Sequence, residues 1–207
     1  MKPVLVLACA CVCLAAAPQA PDAPLRQTRL SFTAADGDRF AVKYAAVVAR
    51  MPPRAGERRK PIQTVVTEPE LNAYLRYRGK DVLPVGVVDP YVFALGAGRL
   101  SGEATVDLDA VRLSRPRGML DLAQLLRGKV PVTATGMLRS KDGEFRFELE
   151  SATLAGVDVP RALIQELVSY YTKTASKPAG YSLDEPFTLG GGIRAITVES
   201  KRAIIVQ

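Results

Sequence analysis

The clearest pattern in the chain is a strict alternation of apolar or small residues with polar ones over residues 100–110. Because successive side chains of a β-strand point to opposite faces of its sheet, this period of two predicts a strand with one buried and one solvated face. The positions on the predicted buried face are Leu100, Gly102, Ala104, Val106, Leu108 and Ala110. The positions on the opposite face are Ser101, Glu103, Thr105, Asp107 and Asp109.

The same alternation returns further along the chain and predicts an antiparallel hairpin. One run covers residues 130–138, a second covers residues 145–149, and the turn-forming sequence SKDG occupies residues 140–143 between them. Such a pattern is typical of a hairpin with one dry and one wet face. Another hairpin is predicted over residues 193–206. Strands of about eleven residues, against a usual five or six, favour a long curved antiparallel sheet over a compact barrel.

Apolar residues at helical spacing predict helices on either side of these strands. Residues 36–51 form an amphipathic pattern with Asp36 or Asp38 as the N-cap, and residues 119–127 form a short one that ends before a glycine. Residues 160–173 predict a longer helix. Its apolar stripe consists of Leu163, Ile164, Leu167, Val168 and Tyr171. Helices and long strands together predict an α+β fold in which helices pack on one face of the sheet.

The segment TEPELNAYLRYR, residues 67–78, carries its own signal for the start of a helix. Thr67 followed three residues later by Glu70 has the form of a capping box, and Pro69 stands in the first turn, where its missing N–H is harmless. Asn72 interrupts the border of the apolar stripe of this helix. We predict that its amide pairs with a neighbouring backbone segment, and the alternative is an amide exposed to solvent.

The N-terminus combines one positive charge at Lys2 with an apolar run over residues 4–17 and a proline-rich stretch after it. The run fits the hydrophobic core of a signal peptide and is shorter than the roughly 20 residues of a membrane-spanning helix. We predict a secretory signal over residues 1–20, a flexible segment over residues 21–35 and one α+β domain over residues 36–207. The expected location is periplasmic or extracellular, free or associated with a membrane.

All three cysteines, Cys9, Cys11 and Cys13, fall inside this predicted signal. The processed chain is therefore expected to contain no disulfide and to depend on its core for stability. The sequence VLAC, ending at Cys9, is similar to a lipoprotein processing box. Because only eight residues precede Cys9, a discarded signal is favoured over lipidation.

Composition removes several classes of chemistry from the processed chain. The chain contains no histidine, and all its cysteines are lost with the predicted signal. Histidine triads, cysteine nucleophiles and the ordinary zinc sites are therefore excluded. Serine-hydrolase, P-loop and dinucleotide motifs are also missing. Two carboxylate pairs, Asp107 with Asp109 and Glu148 with Glu150, lie on polar strand faces, which favours solvated charges over acid/base catalysis or a weak calcium site. We predict a protein that is not an enzyme and needs no cofactor and no metal.

The formal net charge of +7 points to anionic partners. Outside the cytoplasm these are lipid headgroups, cell-wall polymers or acidic proteins, and nucleic acid is not expected. The densest basic run lies in a proline-bounded loop and consists of Arg54, Arg58, Arg59 and Lys60. A solvated loop is the favoured interpretation, and contact of these four residues with an anionic membrane surface is the functional hypothesis.

Several positions of the predicted buried face are small, namely Gly102, Ala104, Ala110, Ala134 and Gly136. A floor of small side chains leaves depth above a sheet, and that depth must be filled. Either the helix predicted over residues 160–173 packs closely against it, or an apolar ligand occupies it. Both arrangements remain open at this point.

The combination of a signal peptide, the capped helix TEPELNAYL, long alternating strands and the segment LAGVDVPRALIQELVSYY resembles small exported bacterial proteins of the LmeA and YpmS kind. These are grouped with the tubular lipid-binding (TULIP) proteins. The resemblance covers most of residues 60–207 and implies a curved antiparallel sheet that wraps a long helix and shelters acyl chains. The positions that carry it, with architectural roles implied, are Glu70, Leu71, Asn72, Gly156, Pro160 and Leu163.

Two hypotheses follow from this reading. The first is an exported protein that holds a lipid between sheet and helix. Its predicted lipid contacts are Val106, Leu108, Val132, Phe147, Leu163, Leu167 and Tyr171, with Thr67, Glu70 and Asn72 as structural residues. The second is a structural or protein-interaction module of the cell envelope, which has a filled core and binds an envelope protein at a sheet edge.

Overall fold

The structure is a computed structural model that describes residues 28–50, 60–79, 83, 85–113, 128–171, 177–180, 182, 183 and 185–207. The described helices are α1 (Ala34–Ala49), α2 (Glu68–Arg78), α3 (Leu108–Leu113) and α4 (Arg161–Tyr171). The described strands are β1 (Gln63–Thr67), β2 (Val87–Gly96), β3 (Arg99–Asp107), β4 (Lys129–Lys141), β5 (Glu144–Leu154), β6 (Val157–Asp158), β7 (Phe187–Thr188), β8 (Ala195–Glu199) and β9 (Arg202–Val206). The helix predicted over residues 119–127 lies outside these residues.

A six-stranded antiparallel sheet dominates the fold. Its strands follow the order β2-β3-β4-β5-β6, and β7 pairs with β5 as well. The predicted hairpin over residues 130–149 is confirmed as β4 and β5, with Lys141 opposite Glu144 at the turn. The coarse prediction of an α+β fold built on a long antiparallel sheet is thereby confirmed.

Strand β3 is shorter than the alternation predicted. It ends at Asp107, and Leu108 and Ala110 belong to helix α3. Oδ1 of Asp107 accepts the backbone N–H groups of Asp109 and Ala110 at 3.1 and 3.0 Å. The prediction of a strand through Ala110 was therefore wrong over its last three residues, because the Asp107 carboxylate satisfies N–H groups at the start of a helix.

A β-bulge in β5 keeps its apolar residues on one face. Thr135 of β4 lies opposite Ser151, but the next residue, Gly136, lies opposite Leu149, so Glu150 is the extra residue. The extra residue shifts the phase of the alternation. Phe147 and Leu149 therefore share a face with Ala152 and Leu154, although odd and even positions would otherwise face opposite ways.

The second sheet has three strands in the order β1-β9-β8, and the predicted C-terminal hairpin is confirmed as β8 and β9. Strand β8 lies across the tips of the β2–β3 and β4–β5 hairpins. The N–H of Gly98 donates to the carbonyl of Val198 at 3.1 Å, and the N–H of Gly143 donates to that of Arg194 at 2.9 Å. Backbone bonds at both hairpin tips thus join the two sheets.

Helix α1 begins earlier than predicted and packs on α2. Its N-cap is Thr33, whose N–H and hydroxyl both donate to Oδ2 of Asp36 at 2.7 Å. The prediction that Asp36 or Asp38 is the N-cap was wrong, because Asp36 reaches back from the third helical position to Thr33. Gly37 lies so close to α2 that a Cβ there would stand 3.1 Å from the Ala73 carbonyl carbon.

Residues 28–33, in the segment predicted to be flexible, lie against β2 and β3. The guanidinium of Arg29 pairs with Asp89 at 3.1 Å and with Glu103 at 3.2 Å, and it lies 5.0 Å from the ring centroid of Tyr91. The Phe32 ring packs between Tyr77 and Tyr91 at centroid distances of 6.2 and 6.3 Å. The folded unit therefore includes Arg29 and Phe32, which belong to the segment predicted to be flexible.

Candidate apolar binding site

One face of the six-stranded sheet, which we call the apolar face, carries apolar side chains or glycine at nearly every position. In β3 and β4 it is formed by Leu100, Gly102, Ala104, Val106, Val130, Val132, Ala134, Gly136 and Leu138. In β5 it is formed by Phe145, Phe147, Leu149, Ala152 and Leu154. The polar exception on these three strands is Ser140, whose hydroxyl exchanges bonds of 3.1 Å with the backbone N–H and carbonyl of Ile196 in β8.

The apolar face is fully buried only in parts. Phe145 has no exposed surface, and Val130 and Ala152 are 7% and 6% exposed. Between them Val132, Phe147 and other apolar residues are only half-buried. Half-buried valines and phenylalanines along a sheet leave apolar area in contact with water, and covering it would be favourable.

A cavity of about 390 Å³ opens over the β4–β5 end of the apolar face. Its apolar wall is formed by Phe147 of β5, Val168 of α4, and Leu183 and Phe187 of the segment that follows α4. The Phe187 ring stacks on the buried ring of Phe145, with centroids 6.0 Å apart. The volume falls within the range of small-molecule sites, roughly 300 to 1,000 Å³.

Polar groups gather along one part of the cavity wall. Ser182, Glu185 and Thr188 complete the lining, and Nζ of Lys177 donates to Oε1 of Glu185 at 2.5 Å. The bond from Lys177, together with the backbone N–H of Ser182, holds the pKa of Glu185 below its ordinary value. The cavity thus combines an apolar wall with an ionised carboxylate and its ammonium partner.

Helix α4 is held to the segment beside the cavity by polar contacts. Oε1 of Gln165 accepts the N–H of Leu183 at 2.7 Å, and its Nε2 donates to Oγ of Ser169 at 2.7 Å. At Gly180 a Cβ would come within 1.8 Å of the Ser169 carbonyl oxygen, so only glycine fits this approach. These contacts hold α4 next to the segment that carries Leu183.

The structure brings together some of the predicted lipid contacts and separates others. Phe147 lines the cavity. Val106 and Val132 are diagonal neighbours on the apolar face, since Val132 lies opposite Ala104, but they sit further along the strands from Phe147. Leu108, predicted on the buried strand face, belongs instead to α3, for the reason given above.

The remaining predicted lipid contacts lie on α4. Leu163 is half-buried on this helix. Leu167 and Tyr171 belong to the same helix, but their side chains lie outside the described part of the structure.

Of the predicted basic loop, only Lys60 lies among the described residues. It is exposed and stands three positions before β1. Arg54, Arg58 and Arg59 lie outside the described residues, so contact of this loop with an anionic surface stays a prediction.

The predicted capping box of α2 is present. Oγ1 of Thr67 accepts the N–H of Glu70 at 3.4 Å, and Oε2 of Glu70 accepts the N–H of Thr67 at 3.0 Å. Nζ of Lys43 on α1 donates to both carboxylate oxygens of Glu70, at 2.7 and 2.8 Å. Burial opposes ionisation of Glu70, but the bonds from Lys43 and Thr67 outweigh it and hold its pKa below the ordinary value. Glu70 thereby joins α1 to the start of α2.

Asn72 makes the backbone contact predicted for it. Its Nδ2 donates to the carbonyls of Glu68 and Val92 at 2.9 and 2.8 Å, and its Oδ1 accepts the N–H of Val92 at 2.7 Å. One turn earlier, Oε2 of Glu68 accepts the N–H of Ala94 at 3.0 Å. The N–H of Lys201 then donates to the carbonyl of Ala94 at 2.8 Å. Together these groups close the outer edge of strand β2.

Sequence reasoning missed Glu68 and Tyr91 beside this edge, and Leu183 and Phe187 at the cavity. Glu68 is 5% exposed and Tyr91 2% exposed, and the Tyr91 hydroxyl donates to Oε1 of Glu68 at 2.9 Å. Glu68 reads from sequence as an ordinary first-turn acid, and Leu183 and Phe187 belong to a stretch with no regular period. The signal in the sequence that could have indicated the cavity wall is that Leu183 and Phe187 are large apolar residues among turn-forming ones.

Among the described residues, no group of three or more acidic, histidine or cysteine side chains is placed to hold a metal ion. In the same part of the chain, no helix is long and apolar enough to cross a bilayer. Comparison with protein-family models, curated proteins and solved structures finds no match to this chain.

Proposed function

We propose that this protein is an exported, non-enzymatic lipid-binding protein that holds the apolar part of an amphiphile over the apolar face of its large sheet. The observation that carries the proposal is the cavity between Phe147, Val168, Leu183 and Phe187, which opens beside half-buried apolar side chains of the same face. An acyl chain placed there would remove that surface from water.

The composition of the cavity wall favours an amphiphile over a purely apolar ligand. Glu185 and its partner Lys177 offer an acceptor and a donor next to the apolar wall. Small-molecule sites combine a mostly apolar lining with a few polar groups that fix orientation. The headgroup of a lipid would lie toward this pair and its chain toward Phe147. In this proposal the sheet and α4 shelter the chain in a TULIP-like manner.

The predicted signal peptide supports export, and the basic charge of the chain supports an anionic lipid or membrane as partner. The chain lacks histidine, which supports a binding function over catalysis. Transfer or storage of a lipid requires a sheltered site and no reacting group, and the cavity meets that requirement.

A second candidate function is a protein-interaction module of the cell envelope. The observation in its favour is the outer edge of β5. Strand β7 pairs only with Glu144 and Phe145, and β6 only with Thr153 and Leu154. Residues 146–152 therefore have no strand partner on that side among the described residues. An extended segment of another protein could add there as a strand.

Extraction of the purified full-length protein, followed by mass spectrometry, tests the lipid-binding proposal. We expect co-purified lipid at a defined ratio to protein. Val168→Trp, which places a larger side chain in the cavity wall, should lower that ratio and weaken binding of a fluorescent fatty acid. Val157→Trp is the matched control, because Val157 is 69% exposed on β6.

Wild-type protein that yields no lipid, together with a Val168→Trp variant that binds the fatty acid as wild type does, would contradict the proposal. The envelope module would then be preferred. Its own test is Glu148→Pro, which places a proline in the part of β5 whose outer side has no strand partner, followed by capture of envelope proteins with both forms. A circular dichroism spectrum confirms the fold of each variant first.

A further inference from the structure

The second half of helix α1 exposes an apolar surface that is separate from the cavity. Val42 is 71% exposed, Val48 53% and Tyr44 50%, and the alanines at 45, 46 and 49 are exposed as well. The side of α1 that carries Gly37, Phe40 and Tyr44 packs on α2. Val42 and the three alanines lie on the opposite side of the helix, and Val48 lies at the border between the two sides.

The charges around this surface that have no ion-pair partner among the described residues are basic. Between Asp38 and Glu57 the sequence contains no acidic residue, and its charged residues there are Arg39, Lys43, Arg50 and Arg54. Several of these charges are paired, Asp36 with Arg39, Asp38 with Arg78, and Lys43 with Glu70. Arg50 closes the helix and makes no ion pair within the described residues, and Lys60 is exposed and equally unpaired there.

An anionic bilayer surface is the partner that matches both properties. Exposed valines insert favourably at the boundary between headgroups and acyl chains, and cations next to them are attracted to anionic headgroups. A second copy of the chain would place Arg50 and Lys60 against the same cations across a two-fold axis, which is unfavourable. A nucleic acid would match the cations but would leave the valines without a partner.

We propose that the outer face of α1, with Val42 and Val48 as its inserted side chains, docks the protein on membranes that contain anionic lipid. Arg50 and Lys60 lie toward the headgroups. The docking surface is a different part of the molecule from the cavity, and it does not require that the cavity hold a lipid.

The chain contains no tryptophan, so a single introduced tryptophan reports on its own surroundings. We expect Val42→Trp emission to shift to shorter wavelength on addition of phosphatidylglycerol–phosphatidylcholine vesicles, with a smaller shift at high salt and with phosphatidylcholine alone. Val157→Trp is the matched control, because Val157 is 69% exposed and Val42 71%. Its emission should not change.

A loss-of-binding variant completes the test. Val42→Glu combined with Val48→Glu should weaken vesicle co-sedimentation by at least roughly tenfold, since two charges of the wrong sign would enter the interface. Val157→Glu should leave it unchanged. Val168→Trp should also leave it unchanged, which separates this proposal from the cavity. Circular dichroism confirms that each variant is folded.

Three results would overturn the proposal. The first is Val42→Trp emission that is insensitive to phosphatidylglycerol vesicles. The second is an equal shift for Val157→Trp. The third is a sedimentation-velocity experiment in which the glutamate variant loses a dimer while vesicle binding persists, which would assign the surface to a second copy of the chain.

Discussion

At the scale of single residues, Asn72 takes the place of a neighbouring strand. It both donates to and accepts from the backbone of Val92, which is the exchange that a paired strand residue would make. Glu68, one turn away on α2, accepts the N–H of Ala94 with its carboxylate. Two side chains of a helix thereby satisfy backbone groups that an exposed edge would leave open for another chain.

Replacement of Asn72 by alanine should strongly destabilise the protein. Asn72 has no exposed surface, so the variant would leave the N–H and carbonyl of Val92 buried without their partners. We expect a loss of about 2 to 4 kcal/mol in the free energy of unfolding, measured with urea. Gln63→Ala is the control, because Gln63 is an exposed amide on β1. Equal stability of the two variants would show that Asn72 is dispensable at this edge.

Tyr91 should ionise at unusually high pH. Burial, opposed by the Leu30 N–H and reinforced by the Glu68 carboxylate, raises its pKa from 10.0 to about 12. Since the unfolded chain loses this proton first, the contribution of Tyr91 to stability is complete below pH 10 and is lost as pH rises through the folded pKa. Titration of tyrosinate absorbance should show a last phase that Tyr91→Phe removes. Identical titrations of the two proteins up to pH 12 would contradict this assignment.

At the scale of elements, the glycines of the apolar face have different roles in neighbouring strands. A Cβ at Gly136 in β4 would stand 2.5 Å from Cζ of Phe147 and 2.6 Å from the Glu148 carbonyl oxygen. A Cβ at Gly102 in β3 would meet nothing within 4 Å. Gly136 therefore makes room for the Phe147 ring that lines the cavity, whereas Gly102 leaves open space above the sheet.

The substitutions Gly136→Ala and Gly102→Ala should have opposite effects. The first forces the Phe147 ring and the backbone of β5 to move and should cost about 1 to 3 kcal/mol of stability. The second removes freedom from the unfolded chain without a clash and should be neutral or add about 0.4 to 1 kcal/mol. Thermal unfolding of the two variants beside wild type measures both. A Gly102→Ala variant as destabilised as Gly136→Ala would mean that the space above β3 is filled.

Sequence patterns predicted the elements whose period is regular and missed the features that depend on long-range contacts. Alternation predicted β3, β4 and β5, and the form of a capping box predicted α2. The start of α3 was missed because Asp107 reads equally well as the polar residue of a strand and as a helix cap. The cavity wall at Leu183 and Phe187 was missed because their partners, Phe147 and Phe145, lie about 40 positions earlier.

At the scale of the whole molecule, the two sheets behave as one unit because strand β8 is bonded to both hairpin tips of the large sheet. Ser140 contributes most directly, since its hydroxyl exchanges two bonds with the backbone of Ile196. Ser140 lies on the apolar face, where a polar side chain is stable only if a neighbouring backbone supplies its hydrogen-bond partners. The serine therefore connects the sheets without interrupting the packing of Phe145 opposite it.

Ser140→Ala should lower the midpoint of thermal unfolding while keeping a single transition. The variant leaves the N–H and carbonyl of Ile196 without their partner, at a cost of about 1 to 3 kcal/mol. Each kcal/mol corresponds to roughly 2 to 4 °C for a domain of this size. Ser151→Ala, an exposed serine on β5, is the control. Two separate transitions in the wild-type protein would show that the sheets unfold independently.

The pairing of β1 with β9 affects how the chain can fold as it is made. Gln63 lies opposite Val206, 143 positions later, whereas the strands of the large sheet pair mostly with their neighbours in sequence. At a synthesis rate of roughly 5 to 20 residues per second, about 7 to 30 seconds pass between synthesis of β1 and synthesis of its partner β9. During that interval Val65 and Val66 belong to an unpaired apolar strand. A nascent chain with this topology therefore offers a holding chaperone a binding segment until synthesis is nearly complete.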